Sequence, residues 1–142
     1  MAHTVVYLIH EILEKTSKAK TRKEKIEILQ KNDSQALRDV LVGTYDSRVT
    51  WNLPEGTPPY EPSSASTPPT NLLKRTSTFN EFVKGGPGDN APAFRRESTF
   101  IRLIESIHPK DAEVVLTMVS KKSLGKGITK KLAQEAFPGL IF

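Results

Sequence analysis

The sequence contains no cysteine, which excludes disulfides, thiol nucleophiles and every cysteine-containing zinc site. Its longest apolar runs, such as Val5–Val6 and Leu8–Ile9, are a few residues, far short of the ~20 that a membrane span requires. No basic stretch leads into a long apolar one at the N-terminus, so no signal peptide is read. Histidine is scarce: His3, His10 and His108 lie far apart without a metal-ligand pattern, and each reads as a surface or capping group. The serines have no nearby histidine, and the carboxylates are spread along polar helix faces. Gly85-Gly86-Pro87-Gly88 lacks the lysine and the strand context of a phosphate-binding loop and reads as a flexible turn. These absences lead to an expectation of no catalytic residue, metal, cofactor, small-molecule substrate or membrane partner, and of a cytoplasmic location.

Charge, helical periodicity and localised proline are what the chain does have. Its 142 residues suit a single domain, and 21 Lys+Arg against 16 Asp+Glu leave a net charge of +5, which favours an anionic partner. Val5, Leu8, Ile9, Ile12 and Leu13 repeat at the helical spacing. Thr21-Arg22-Lys23-Glu24 has the form of a capping box opening a second helix, with Asn32 as a left-handed stop. Ser34 is placed to cap a third helix that buries Leu37, Val40 and Leu41. Six of the ten prolines fall between Leu53 and Thr70, so residues 53–70 are expected to form a long, mobile surface loop. Leu72, Leu73, Phe79, Phe82 and Val83 suggest a fourth helix. Phe100, Ile101, Leu103, Ile104 and Ile107 mark a fifth, and a sixth opens at Pro109 with Asp111 near its positive end. Ile128, Leu132, Ala133 and Ala136 mark the last. The expected fold is all-α: a compact bundle of about six or seven short helices, residues 1–142 forming one module.

Two basic clusters stand out. One gathers Lys15, Lys18, Lys20, Arg22, Lys23 and Lys25; the other gathers Lys121, Lys122, Lys126, Lys130 and Lys131. In the second, Gly125 and Gly127 allow close backbone approach, and the amides of residues 128–130 are expected to be the free donors of a helix start. Lysines beside such a start suit a phosphate. The alternative is an ordinary solvated surface. Phe79, Phe82, Phe94 and Phe100 fit core faces better than base-stacking platforms, so any nucleic acid is expected to be held by its backbone.

The run from Gly127 to the ending Phe137-Pro138-Gly139-Leu140-Ile141 resembles the close of the N-terminal DNA-binding domain of phage-type ATP-dependent DNA ligases. Similar segments are Ile12–Glu14, Thr21–Asn32, Leu37–Leu41, Thr44–Arg48 and Asp111–Leu116, so the resemblance covers roughly residues 7–52 and 98–141. It implies an α-helical module that grips duplex DNA at a nick, with Lys126, Gly127, Thr129 and Lys130 among its phosphate contacts. The family's Lys-x-Asp-Gly adenylation motif is missing, since Lys110-Asp111 is followed by Ala112, and the proline-rich stretch departs from the family's helical middle. The expectation is therefore a stand-alone, non-enzymatic duplex-DNA-binding module of phage origin, acting in the infected cell's cytoplasm. Its DNA contacts are expected from Lys121, Lys122, Lys126, Gly127, Thr129, Lys130 and Lys131, joined by Lys18, Lys20 and Arg22. One alternative is an adaptor for a sliding clamp, a transcription complex or virion assembly. It would use the proline-rich loop or an apolar anchor of Leu140, Ile141 and Phe142, residues that could equally complete the core. An RNA partner is the third reading.

Overall fold

The computed structural model describes residues 6–142; His3 and the Val5 end of the first stripe lie outside the described residues. Seven α-helices are present among the described residues, with two 3-10 segments and one isolated β-bridge. The fold is all-α, as the apolar spacing predicts.

Helix α1 (Ile9–Lys18) buries Ile9, Ile12, Leu13 and Thr16, one face at the three- and four-residue spacing. Helix α2 (Arg22–Lys31) opens where Thr21 accepts the Glu24 amide at 3.1 Å. The Glu24 carboxylate returns to the Lys20 amide at 3.3 Å rather than to Thr21, so only half of the expected capping box forms. Asn32 is not left-handed (φ −107); its side-chain amide instead donates to the Ile28 carbonyl at 2.8 Å and closes the last turn. Helix α3 (Gln35–Tyr45) is capped by Ser34, which accepts from the Leu37 amide at 3.1 Å.

The expected fourth helix divides in two. Helix α4 is the single turn Leu72–Arg75, and a 3-10 helix follows over Thr76–Phe82. Thr76, Phe79 and Phe82 are the buried residues of that segment, a strict spacing of three that a 3-10 helix eclipses and an α-helix lets drift round its axis. The stretch from Gly85 to Ala91, expected to be flexible, is instead wedged onto this segment. A Cβ on Gly88 would stand 2.0 Å from the Glu81 carbonyl oxygen, and one on Gly86 2.5 Å from that of Asn80. Asp89 accepts from the Gly85 amide at 2.6 Å, and Arg96 donates to the Asn52 carbonyl at 2.8 Å.

Residues 53–70 form no helix or strand, as their prolines require. They lie along the surface of the body and are tied to it at several points. Leu53 and Tyr60 pack on the core. The Glu61 amide donates to Glu105 at 2.8 Å, the Thr70 amide to the Ser106 carbonyl at 2.9 Å, and the Ser63 hydroxyl to the Ile107 carbonyl. The segment is a tethered strap across helix α5 (Ala93–Ser106). Phe94, expected in the core, is 69 % exposed because α5 starts beyond the body; its buried residues begin at Phe100.

Helix α6 (Pro109–Val119) packs against α1, α3 and α5, and helix α7 (Lys130–Ala136) against α2. One contiguous apolar cluster therefore runs from Ile9 to Ile141. The first and last thirds of the chain share it, each covering apolar faces that the other leaves open.

Candidate nucleic-acid interface

The α1–α2 joint and the loop before α7, about a hundred residues apart in sequence, lie against each other. The Ser17 hydroxyl donates to the Lys126 carbonyl at 2.9 Å. Gly127 has φ +77, and a Cβ there would meet the Lys25 side-chain carbon Cε at 2.8 Å. Glycine is required here twice over, for its backbone conformation and for the stem beside it. That stem carries the Lys25 ammonium to the carbonyls of Ala19 (2.5 Å), Thr16 (3.3 Å) and Ser17 (3.4 Å), satisfying the last acceptors of α1 with a cation at the negative end of its dipole. The two basic clusters thus become one face. On it Lys18, Lys20, Lys126 and Lys131 are exposed and Lys130 is half-buried. None of the five is in an ion pair among the described residues.

Other expected contact residues are committed elsewhere. Arg22 makes a two-pronged pair with Glu135, both bonds 2.9 Å; hydrogen bonding to Arg22 holds the Glu135 carboxyl below its ordinary value. The guanidinium is neutralised within the fold rather than offered to a ligand. Lys121 (φ 57) donates to the carbonyls of Asp46 (2.7 Å), Val49 (3.1 Å) and Gly43 (3.2 Å), closing the end of α3. Burial pushes its ammonium pKa down. Lys122 lines a different hollow, together with Trp51 and Lys84.

The expected helix start is also partly used up. The Ile128 amide donates to the Gly125 carbonyl at 3.1 Å, and the Thr129 hydroxyl accepts from the Leu132 amide at 3.2 Å. The amides of Thr129 and Lys130 make no hydrogen bond to a described residue.

At the Lys121 corner Asp46 and Arg48 satisfy one another. Asp46 is fully buried and accepts from Arg48 Nε at 3.1 Å and Nη2 at 2.8 Å, and from the Arg48 amide at 2.8 Å. Hydrogen bonding to the Arg48 side chain, aided by the Arg48 and Phe142 amides, holds its carboxyl down at about 2 against the opposing effect of burial. The C-terminal segment folds back here: Ile141 is buried, Leu140 is half-buried, and the Phe142 carbonyl accepts from the Ser47 amide at 2.8 Å. An anchor made of all three residues is not available. Only Phe142 is exposed, its ring 4.2 Å from the Arg48 guanidinium.

The histidines are closer than their sequence positions suggest. His10 and His108 stack at 4.4 Å. His108 caps α6, its Nδ1 accepting from the Lys110 amide at 3.0 Å, but His10 is buried rather than on the surface, its Nδ1 2.8 Å from Asp111 Oδ1. The Asp111 Oδ2 atom is buried without a partner. Among the described residues no three His, Asp or Glu side chains gather as metal ligands.

Sequence reading missed the capping roles of Lys25 and Lys121, although a signal exists. Ala19 and Asp46, not glycine, follow α1 and α3, so the end carbonyls of both helices need a donor from elsewhere.

The molecule is an all-α bundle with a composite basic face. A family model covers residues 12–126, and the chain belongs to that family, described as a family of unknown function (DUF6433). No curated protein matches the chain.

Proposed function

We propose that the composite face of Lys18, Lys20, Lys126, Lys130 and Lys131 holds the phosphate backbone of duplex DNA with little preference for sequence. The observation that carries this reading is the Ser17–Lys126 contact, which brings cations from opposite ends of the chain to one corner of the molecule. Unpaired ammonium groups on one face release counterions when they meet a polyanion. The resemblance to ligase DNA-binding domains supports the same face, and with it a phage origin and a cytoplasmic site of action in the infected cell. No catalytic role is assigned to the module.

Fluorescence anisotropy with nicked, intact and single-stranded DNA at several salt concentrations tests the proposal. Duplex is expected to bind best, with log K falling against log salt at a slope of about −4 for four or five phosphate contacts. A folded Lys126→Glu/Lys130→Glu double variant that binds as well as the parent overturns it. Equal affinity for duplex RNA shifts the assignment to RNA.

A further inference from the structure

Two connected hollows run beneath the proline-rich strap. The first, about 360 Å³, has apolar walls that include Leu53, Pro54, Phe100, Ile101 and Val119. The second, about 730 Å³, shares Leu53–Thr57 and Val119 with the first and continues past Trp51 to Lys84 and Lys122. Each is of the size that small ligands or peptide side chains occupy. Phe94, one of the few exposed large apolar side chains, lies on α5 seven residues before Ile101, two turns away on the same side. It prolongs the apolar end toward solvent.

The groove has a main-chain component as well. Trp51 and Val83 form the isolated antiparallel bridge, with the Asn52 amide donating to the Phe82 carbonyl at 2.6 Å and the Lys84 amide to the Thr50 carbonyl at 2.8 Å. Successive residues of such a strand turn their N–H and C=O groups to opposite sides. The main-chain groups of Trp51 therefore face away from residues 82–84, and they meet no hydrogen-bond partner among the described residues. The strap does not complete this ladder: no strap residue bonds to the Trp51 main chain, and Pro54, Pro58 and Pro59 have no amide to offer.

We propose that this groove is a docking site for an extended acidic segment of a partner protein. The segment pairs its main chain with the free edge at Trp51, in the manner of an added strand. It seats one apolar side chain against Phe100, Ile101 and Val119, and lays a carboxylate between Lys84 and Lys122. Charge complementarity selects the acidic partner. Lys84 and Lys122, the two cations of the second hollow that the fold does not tie down, face the single carboxylate of Glu55 there, whereas Glu97 lies only at the apolar end. The site shares none of the five lysines of the DNA-binding face, so either assignment stands or falls without the other.

The test selects random dodecapeptides displayed on phage against the intact chain and measures synthetic versions of the enriched sequences by anisotropy. The expected winners combine acidic residues with a large apolar one and lose at least tenfold in affinity on Lys84→Glu, an exposed position. Ile101→Arg is expected to have a similar effect, with the circular dichroism of both variants confirming the fold and DNA affinity serving as an unchanged control. N-methylation of the winning peptide is expected to weaken binding at alternate positions only. A selection that enriches nothing overturns the proposal. So do winners that bind both variants as tightly as the parent, and so does a groove whose Lys84-dependent ligand is single-stranded DNA rather than peptide.

Discussion

Two corners of this molecule gather cations and differ in what those cations do. Around Asp46, Lys121 and Arg48 are consumed: one closes a helix end and the other pairs with a buried carboxylate. Around Gly127 Lys25 and Arg22 are consumed in that way, whereas Lys18, Lys20 and Lys126 remain exposed. Lysine density along a sequence therefore measures charge supply, and the hydrogen-bond inventory decides how much of that charge reaches a ligand. An ammonium with three carbonyl partners belongs to the fold; an exposed, unpaired one is available to a polyanion.

Substitutions in the two corners should separate these roles. The largest effect is expected at the open corner, where Lys126→Glu with Lys130→Glu lowers duplex affinity about 100-fold at low salt through lost and reversed phosphate contacts. Its thermal midpoint should match the parent's, and a fall in midpoint of the same variant breaks the comparison. Next is Lys121→Met at the closed corner. It should cost about 1 kcal/mol in chemical denaturation, the low end for charged hydrogen bonds because the ammonium is still partly in water, and leave DNA affinity within about twofold.

Acid sharpens the contrast further. The Asp46 carboxyl is held at about 2, below the ~3.9 of an unfolded aspartate. Its stabilising contribution is complete above the unfolded value and is lost as pH falls through the folded one. Denaturation midpoints should therefore drop between about pH 4 and pH 2, and Asp46→Asn should flatten that part of the profile. The smallest effect is expected from Arg22→Gln with Glu135→Gln. That pair is exposed and already neutral as a unit, so neither the thermal midpoint nor duplex affinity should move measurably.

Where apolar spacing is strong, the sequence and the structure agree in detail. The stripes of α1 and α3 bury the residues that a 3.6-residue period selects, as does that of α5 at Phe100, Leu103 and Ile104 though not at the half-buried Ile101, and Ser34 caps the helix that follows it. The middle of the chain departs from this because its apolar residues repeat every three positions and its glycines pack against carbonyls, neither of which a helical template detects. The basic site was half legible. Lys126, Gly127 and Lys130 could be chosen from glycine and lysine spacing. The diversion of Arg22 and Lys121 could not, because Glu135 lies 113 residues from Arg22 and the Asp46 carbonyl 75 from Lys121. Long-range pairing of this kind leaves no local trace. Lys122 was set apart by tertiary placement alone, since only the folded chain brings it into one hollow with Trp51 and Lys84.

The interlocking of the first and last thirds has a consequence for biosynthesis. Besides each other, helices α1 and α2 find their packing partners in α6 and α7, which are translated long after them. Until those helices emerge, Ile9, Ile12 and Leu29 have only each other to cover apolar surface that the finished protein hides completely or nearly so. A nascent chain must therefore carry an exposed amphipathic N-terminal third until residues near Leu132 clear the ribosome, and transiently exposed surface of this kind is what chaperones recognise. Cooperative structure should appear late and abruptly on the ribosome, once the chain has grown long enough for its two ends to meet.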